Sequence, residues 1–358
     1  MSLDPETDVT RPMGDGRNID PRIGTLAGEG SHQEVERIHP GRATPAAEPA
    51  SGDSYYGLPV LKETVWKWPI PTYFYVGGLA GASAVLSAAA LLRRGSLGRI
   101  ARTGRIIALG GAGLSAALLI KDLGRPMRFL YMLRVFRPGS PMNVGTWILS
   151  AFGACAFGAV ALPGRLGDAA SVGAGLFGLP LSSYTAVLLA NTAVPLWQGT
   201  RNALPVLFVA SAASSAASAL ELCQLPAAEA RVVRRFAVAA KLADIVSAMA
   251  VEREANAVER VGRPLRASAL WKAAKLCVLA SLAVSALPRK PRWLRIAGGA
   301  LGTLGALGTR FGIFQAGRWS ARDPQATFDQ QRAGMGAAML DEPAPTFSRV
   351  QEVATAQS

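Results

Sequence analysis

The chain has 358 residues, 50% of them hydrophobic and only 17% charged, where an ordinary soluble domain is about a quarter charged. Its formal net charge is +14, yet most arginines sit in short links beside apolar blocks, a placement that suits lipid headgroups and gives no basic helix or aromatic–basic interleaving for nucleic acid. The two histidines, His32 and His39, both lie near the N-terminus and Cys155, Cys223 and Cys277 are isolated, so the chain is expected to hold no haem, no iron–sulfur cluster and no metal of its own.

Residues 1–55 mix acids and bases and contain no apolar h-region, so they read as a polar tail, flexible or ordered on a partner, and not as a secretory signal. Residues 56–317 alternate apolar blocks with short Arg-rich links, and 318–358 form a polar C-terminal tail. The expected fold is all-α: a polytopic integral membrane bundle of about eight transmembrane helices.

The first span covers 69–92, with Trp66, Trp68, Tyr73 and Tyr75 at its start as interfacial aromatics. A link with Arg93, Arg94, Arg99, Arg102 and Arg105 precedes the second span, 106–120, which at ~22 Å of helix is short. The third span is 142–162. The fourth is an uncharged run over 169–200 with Pro180 and Pro195 inside it, and the fifth, 202–220, is rich in Ser and Ala, which suits close helix packing in lipid. The sixth, 236–251, carries Lys241 and Asp244 three residues apart, a spacing that lets them neutralise each other or mark a proton path. Glu221, Glu252 and Glu254, near helix ends, read as solvated or interfacial. The seventh and eighth spans are 271–287 and 296–315. The links after spans one and seven are short, basic and almost free of acids, which places them in the cytoplasm and both tails outside.

Two segments carry chemistry. In 122–147, Arg125, Arg128, Arg134 and Arg137 alternate with Phe129, Leu130, Leu133 and Phe136, so a short amphipathic helix there can lie on the membrane surface or under a partner. Asp122, at its edge, is a candidate proton acceptor or a salt-bridge partner of Arg125 or Arg128. In 181–197, Tyr184, Asn191 and Trp197 are spaced near two helical turns apart, a face that can hydrogen-bond a quinone's carbonyls or simply neighbouring helices.

These strings, together with Tyr55-Tyr56-Gly57-Leu58-Pro59 and the run from Trp66 to Phe74, resemble the NrfD/polysulfide-reductase family of membrane subunits over roughly residues 55–320. The resemblance implies a core without bound redox metal that exchanges electrons between the quinone pool and a ferredoxin-like iron–sulfur subunit, itself joined to a molybdopterin-type catalytic subunit, in the inner membrane of a prokaryote. It maps the family's quinone-contacting tyrosine to Tyr184, with Arg125, Asn191 and Trp197 completing a candidate pocket. The histidine that some members use near the first helix has no counterpart, and Tyr73 is its candidate substitute. The competing readings are a secondary transporter or proton-translocating subunit, and a purely structural anchor.

Overall fold

The computed structural model describes residues 61, 64–93, 97–124, 126–288 and 290–333, with the backbone of 18–20 and 25–27. The chain divides into two units, Met1–Asp53 and Ser54–Ser358. In the first, the described residues are β1 (Asn18–Asp20) and β2 (Thr25–Ala27), paired antiparallel with Ile19 opposite Leu26. The rest of the predicted N-terminal tail lies outside the described residues.

The second unit is helical: α1 (Pro69–Leu91), α2 (Gly98–Leu123), α3 (Pro126–Met132), α4 (Pro141–Ala161), α5 (Gly164–Ala190), α6 (Pro195–Gly199), α7 (Ala203–Leu222), α8 (Ala227–Ala255), α9 (Glu259–Ala267), α10 (Ala269–Ala286), α11 (Arg292–Arg322) and α12 (Pro324–Arg332). Local chemistry sets many of these limits. Proline opens α1, α4, α6 and α12, where its missing N–H would have had no intrahelical partner. Ser268 caps α10 by accepting from the Trp271 N–H, and Asp323 caps α12 through the Gln325 N–H. Gly124, at φ 70, stops α2 in a conformation that other residues rarely adopt.

Eight of these helices are 18 residues or longer and correspond one to one with the expected spans. Six are apolar enough to cross a membrane: α1, α2, α4, α5, α7 and α10. The other two, α8 and α11, are long enough, and their lower hydropathy comes from charges held inside the protein or at the helix ends. Their outer faces still expose Leu242, Val246 and Met249 on α8 and Leu304 on α11, as α4, α5 and α10 expose Phe157, Leu176 and Leu276. Hydrocarbon is the solvent that such a surface requires, so the chain is an integral membrane protein.

The described helices fall into two sets of six in the same order. In the first, α1 packs on α2 and α5, and α4 on α5 and α2; in the second, α7 packs on α8 and α11, and α10 on α11 and α8. The short helices match too: α3 and α9 follow the second long helix of each set, α6 and α12 the fourth. The two sets form a repeat in which an even number of long helices keeps both halves in one orientation. Close approach between helices uses glycine. A Cβ built on Gly81 would stand 2.5 Å from the Gly178 carbonyl oxygen, and one on Gly178 equally close to that of Gly81, so α1 and α5 touch backbone to backbone there.

Short connections make consecutive long helices antiparallel. The turns after α1, α4, α7 and α10 thus gather at one end, where Glu229 Oε2 accepts the Ile100 N–H at 2.7 Å and Arg99 Nη1 donates to the Gln224 carbonyl. The opposite end carries α3, α6, α9 and α12. The expected fourth span, 169–200, is in fact α5, a turn at 191–194 and α6, because Pro195 cannot continue the helix hydrogen bonding and starts a new one. Ordered helix also continues beyond 317: Ala326 of α12 is fully buried and Gln330 Nε2 donates to the Pro195 carbonyl at 3.1 Å.

Candidate functional site

At the end that carries α3 and α6, a crevice is lined by Trp66, Ile70, Tyr73, Phe74, Leu119, Met142, Tyr184 and Leu188. Tyr73 comes from the first turns of α1 and Tyr184 from the last two turns of α5, and both are buried. Their meeting depends on a glycine opposite: a Cβ on Gly145 of α4 would collide with the Tyr184 ring. The crevice has a volume of about 20 Å³, room for a water molecule and not for a quinone ring. Its chemistry suits a quinone, with two phenol hydroxyls among aromatic and aliphatic walls. Any guest larger than water would require a side chain to move. Met142, half-buried at the start of α4, has the most adaptable side chain of the lining.

The residues singled out in the sequence separate into those the crevice gathers and those it does not. Tyr73 and Tyr184 come together in it. Asp122 lies one turn beyond the lining residue Leu119, half-buried, and accepts a hydrogen bond from the backbone N–H of Lys67, next to Trp66. Arg125 lies outside the described residues. Asn191 sits at the C-terminus of α5, exposed, with its amide donating to the Val187 carbonyl at 2.8 Å. Trp197 is on α6, fully buried, and its Nε1–H donates to the Ile313 carbonyl at 3.0 Å. Because the helix breaks at 191, the two-turn spacing of Tyr184, Asn191 and Trp197 does not produce one face. Trp197 instead stacks between Trp66 and Phe314, with ring centroids 6.2 and 6.1 Å away, and so backs the crevice wall.

Sequence reasoning missed Met142, Gly145 and Asn143. Asn143 Oδ1 accepts the Arg137 N–H at 2.7 Å, while its Nδ2 donates to the carbonyls of Met132 and Val135. One side chain thereby ties the arginine-rich connection to the start of α4 beside the crevice. Within that connection α3 is helical as expected and exposes Met127, Leu130 and Tyr131.

The charged groups of the second half pair differently from the expectation. Lys241 and Asp244 do not neutralise each other. Lys241 Nζ bonds Glu221 Oε2 at 2.6 Å and Ser285 Oγ at 2.8 Å, and Lys290 reaches the other oxygen of Glu221 at 3.1 Å. Asp244 faces Arg310 of α11 instead. The Arg310 guanidinium lies 3.7 Å over the Phe208 ring and donates to the Phe208 carbonyl at 2.8 Å. Glu221 is buried rather than solvated. Glu252 takes hydrogen bonds from Trp271 Nε1 and Lys275, and Glu254 from the Ala203 N–H. Helix ends in this bundle are packed against other helices, which is why acids there find internal partners. The three cysteines are free thiols, and burial pushes that of Cys223, just beyond α7, above its usual value.

Residues 53–317 match the protein-family model NrfD_2, described as polysulfide reductase. No curated protein matches the chain.

Proposed function

Because this chain belongs to the NrfD_2 polysulfide reductase family, and is thereby a membrane subunit of a redox complex, we propose that it is the subunit that reacts with quinone. In this reading it exchanges electrons between a membrane quinone and an iron–sulfur subunit docked on the α3, α6, α9 and α12 end, with a molybdopterin-type catalytic subunit beyond. The observation that carries the reading is the convergence of Tyr73 and Tyr184 in one aromatic crevice beside the arginine-rich connection. Electrons then travel only from that crevice to the partner, so the chain needs no redox centre of its own. In this reading the end with the turns after α1, α4, α7 and α10 faces the cytoplasm, because its links after α1 and α10 are short, basic and almost free of acids.

Quinol oxidation yields quinone, two electrons and two protons; reduction reverses each transfer. In this reading the tyrosine hydroxyls hydrogen-bond a quinone oxygen and hold the ring's orientation. Trp66, Ile70 and Phe74 exclude water from it. Asp122, one turn beyond the lining residue Leu119, accepts or returns a proton in this reading. The test is quinone-linked turnover in the assembled complex. Tyr184→Phe is expected to lower it several-fold, the worth of about one neutral hydrogen bond. Asp122→Asn is expected to lower it about 100-fold. Full turnover in both variants would refute the site, and failure of every quinone analogue to inhibit would refute the activity.

A second reading, a proton-translocating role, rests on Asp244 and Arg310: Asp244 Oδ2 and Arg310 Nε and Nη1 are buried without hydrogen-bond partners among the described residues. Proton uptake into vesicles that is lost in Asp244→Asn while quinone turnover persists would support it.

A further inference from the structure

A cavity of about 700 Å³ opens at the end opposite the short helices, between the turn joining α7 to α8 and the turn joining α10 to α11. That size is in the range of built ligand sites. Arg231, Arg234, Lys290 and Arg295 line it, and Glu221 is the one carboxylate among its described lining residues. Glu221 is already engaged by Lys241 and Lys290, which leaves the three arginines with no other carboxylate among the described lining residues. Arg295 Nε is buried and has no hydrogen-bond partner among the described residues, a donor whose desolvation calls for an acceptor. The N-termini of α8 and α11, at Ala227 and Arg292, add partial positive charge at the same place.

Beside this basic cavity lies an apolar slot of about 180 Å³ between α1, α2 and α8, with Leu86, Ala89 and Phe236 in its lining. Leu220 and Val233 line both spaces, so a cationic chamber and a hydrocarbon-walled groove share a wall at the ends of membrane helices. The ligand that matches this pairing is an anionic amphiphile. The bilayer itself supplies one in quantity, and pockets of basic residues between helix ends suit its headgroup.

We infer that this cavity binds one anionic phospholipid, whose phosphate sits among Arg231, Arg234 and Arg295 and whose acyl chain follows the slot beside Phe236. The site is at the opposite end of the bundle from the aromatic crevice and does not depend on quinone chemistry.

The test uses the full chain, delipidated in mild detergent, with thermal unfolding and native mass spectrometry as readouts. The probes are phosphatidylglycerol, phosphatidylcholine and inorganic phosphate. Phosphatidylglycerol is expected to remain bound at one copy and to raise the unfolding temperature, and the other two are not. Arg295→Gln and Arg231→Gln should each weaken its binding about fivefold, the worth of one cation near an anionic lipid. Ala230→Trp, which fills the cavity and keeps every charge, should abolish the retained copy. Arg102→Gln, an exposed cation at the same end but outside the cavity, should change nothing. Equal loss in Arg102→Gln, or full binding in Ala230→Trp, would show diffuse surface attraction and overturn the site. Equal stabilisation by inorganic phosphate would make it a free-anion site, and equal retention of phosphatidylcholine would remove the role of charge; either result overturns the proposal.

Discussion

Gly145→Ala is the most informative single change at the crevice, because it moves Tyr184 without altering any group that does chemistry. The added methyl would fall on the Tyr184 ring, with three ring or hydroxyl atoms inside the 3.4–4 Å of ordinary contact. Asn143 anchors the first turn of α4 to the preceding connection, which favours movement of the ring over movement of the backbone. The ring therefore retreats by about 1 Å or more, which for overpacking of this kind costs about 1–3 kcal/mol of stability. A displacement of that size at a positioned group is expected to lower quinone-linked turnover by up to about 100-fold. Thermal unfolding of the purified chain and turnover of the assembled complex give the two numbers. In a Tyr184→Leu background the obstruction is gone, so Gly145→Ala should cost little stability there while turnover stays low. A normal turnover in Gly145→Ala despite a lowered unfolding temperature would mean that Tyr184 is only a wall of the bundle, and the reasoning would fail.

Two more changes test the interior. Glu221→Gln leaves the fully buried Lys241 with neutral acceptors only and no countercharge, and should destabilise by about 3–5 kcal/mol. Lys241→Met leaves Glu221 with Lys290 and Ser285, so its loss should be smaller in the same unfolding assay; the opposite order would contradict the pairing. Trp197→Phe removes the donor to the Ile313 carbonyl while keeping the ring stack, and should cost about 1–3 kcal/mol with turnover unchanged. A large drop in turnover from that change would put Trp197 in direct contact with substrate.

Much of the bundle was legible in the sequence because hydrocarbon imposes one rule on every residue that faces it. Charge-free runs over 69–92 and 142–162 coincide with α1 and α4 almost to the residue. The rule fails where a helix faces protein. Arg99, Arg102 and Arg105 hid the first two turns of α2, yet Arg105 is held by Asp168 at 2.5 Å and the Ala159 carbonyl. Of the candidate site, Tyr184 was visible as a polar group in an apolar span, whereas Tyr73 read as an interfacial aromatic and entered only through the family resemblance; the crevice brings them together. Asn191 was read onto the wrong surface because helical spacing was extended through the break that precedes Pro195. The partners of Lys241 could not be read at all: Glu221 lies 20 residues away and Ser285 lies 44 away, a relation set by packing of α7, α8 and α10 rather than by any local period.

The doubled order of the helices has a consequence that no single residue carries. An even number of long helices in each half returns the chain to the side it left, so the two halves cannot present unlike ends to one compartment. All four short helices, α3, α6, α9 and α12, consequently lie on one side, and the turns between long helices on the other. The molecule is thus polarised by parity: among the described residues, one side carries the four short helices and the other the turns between consecutive long helices.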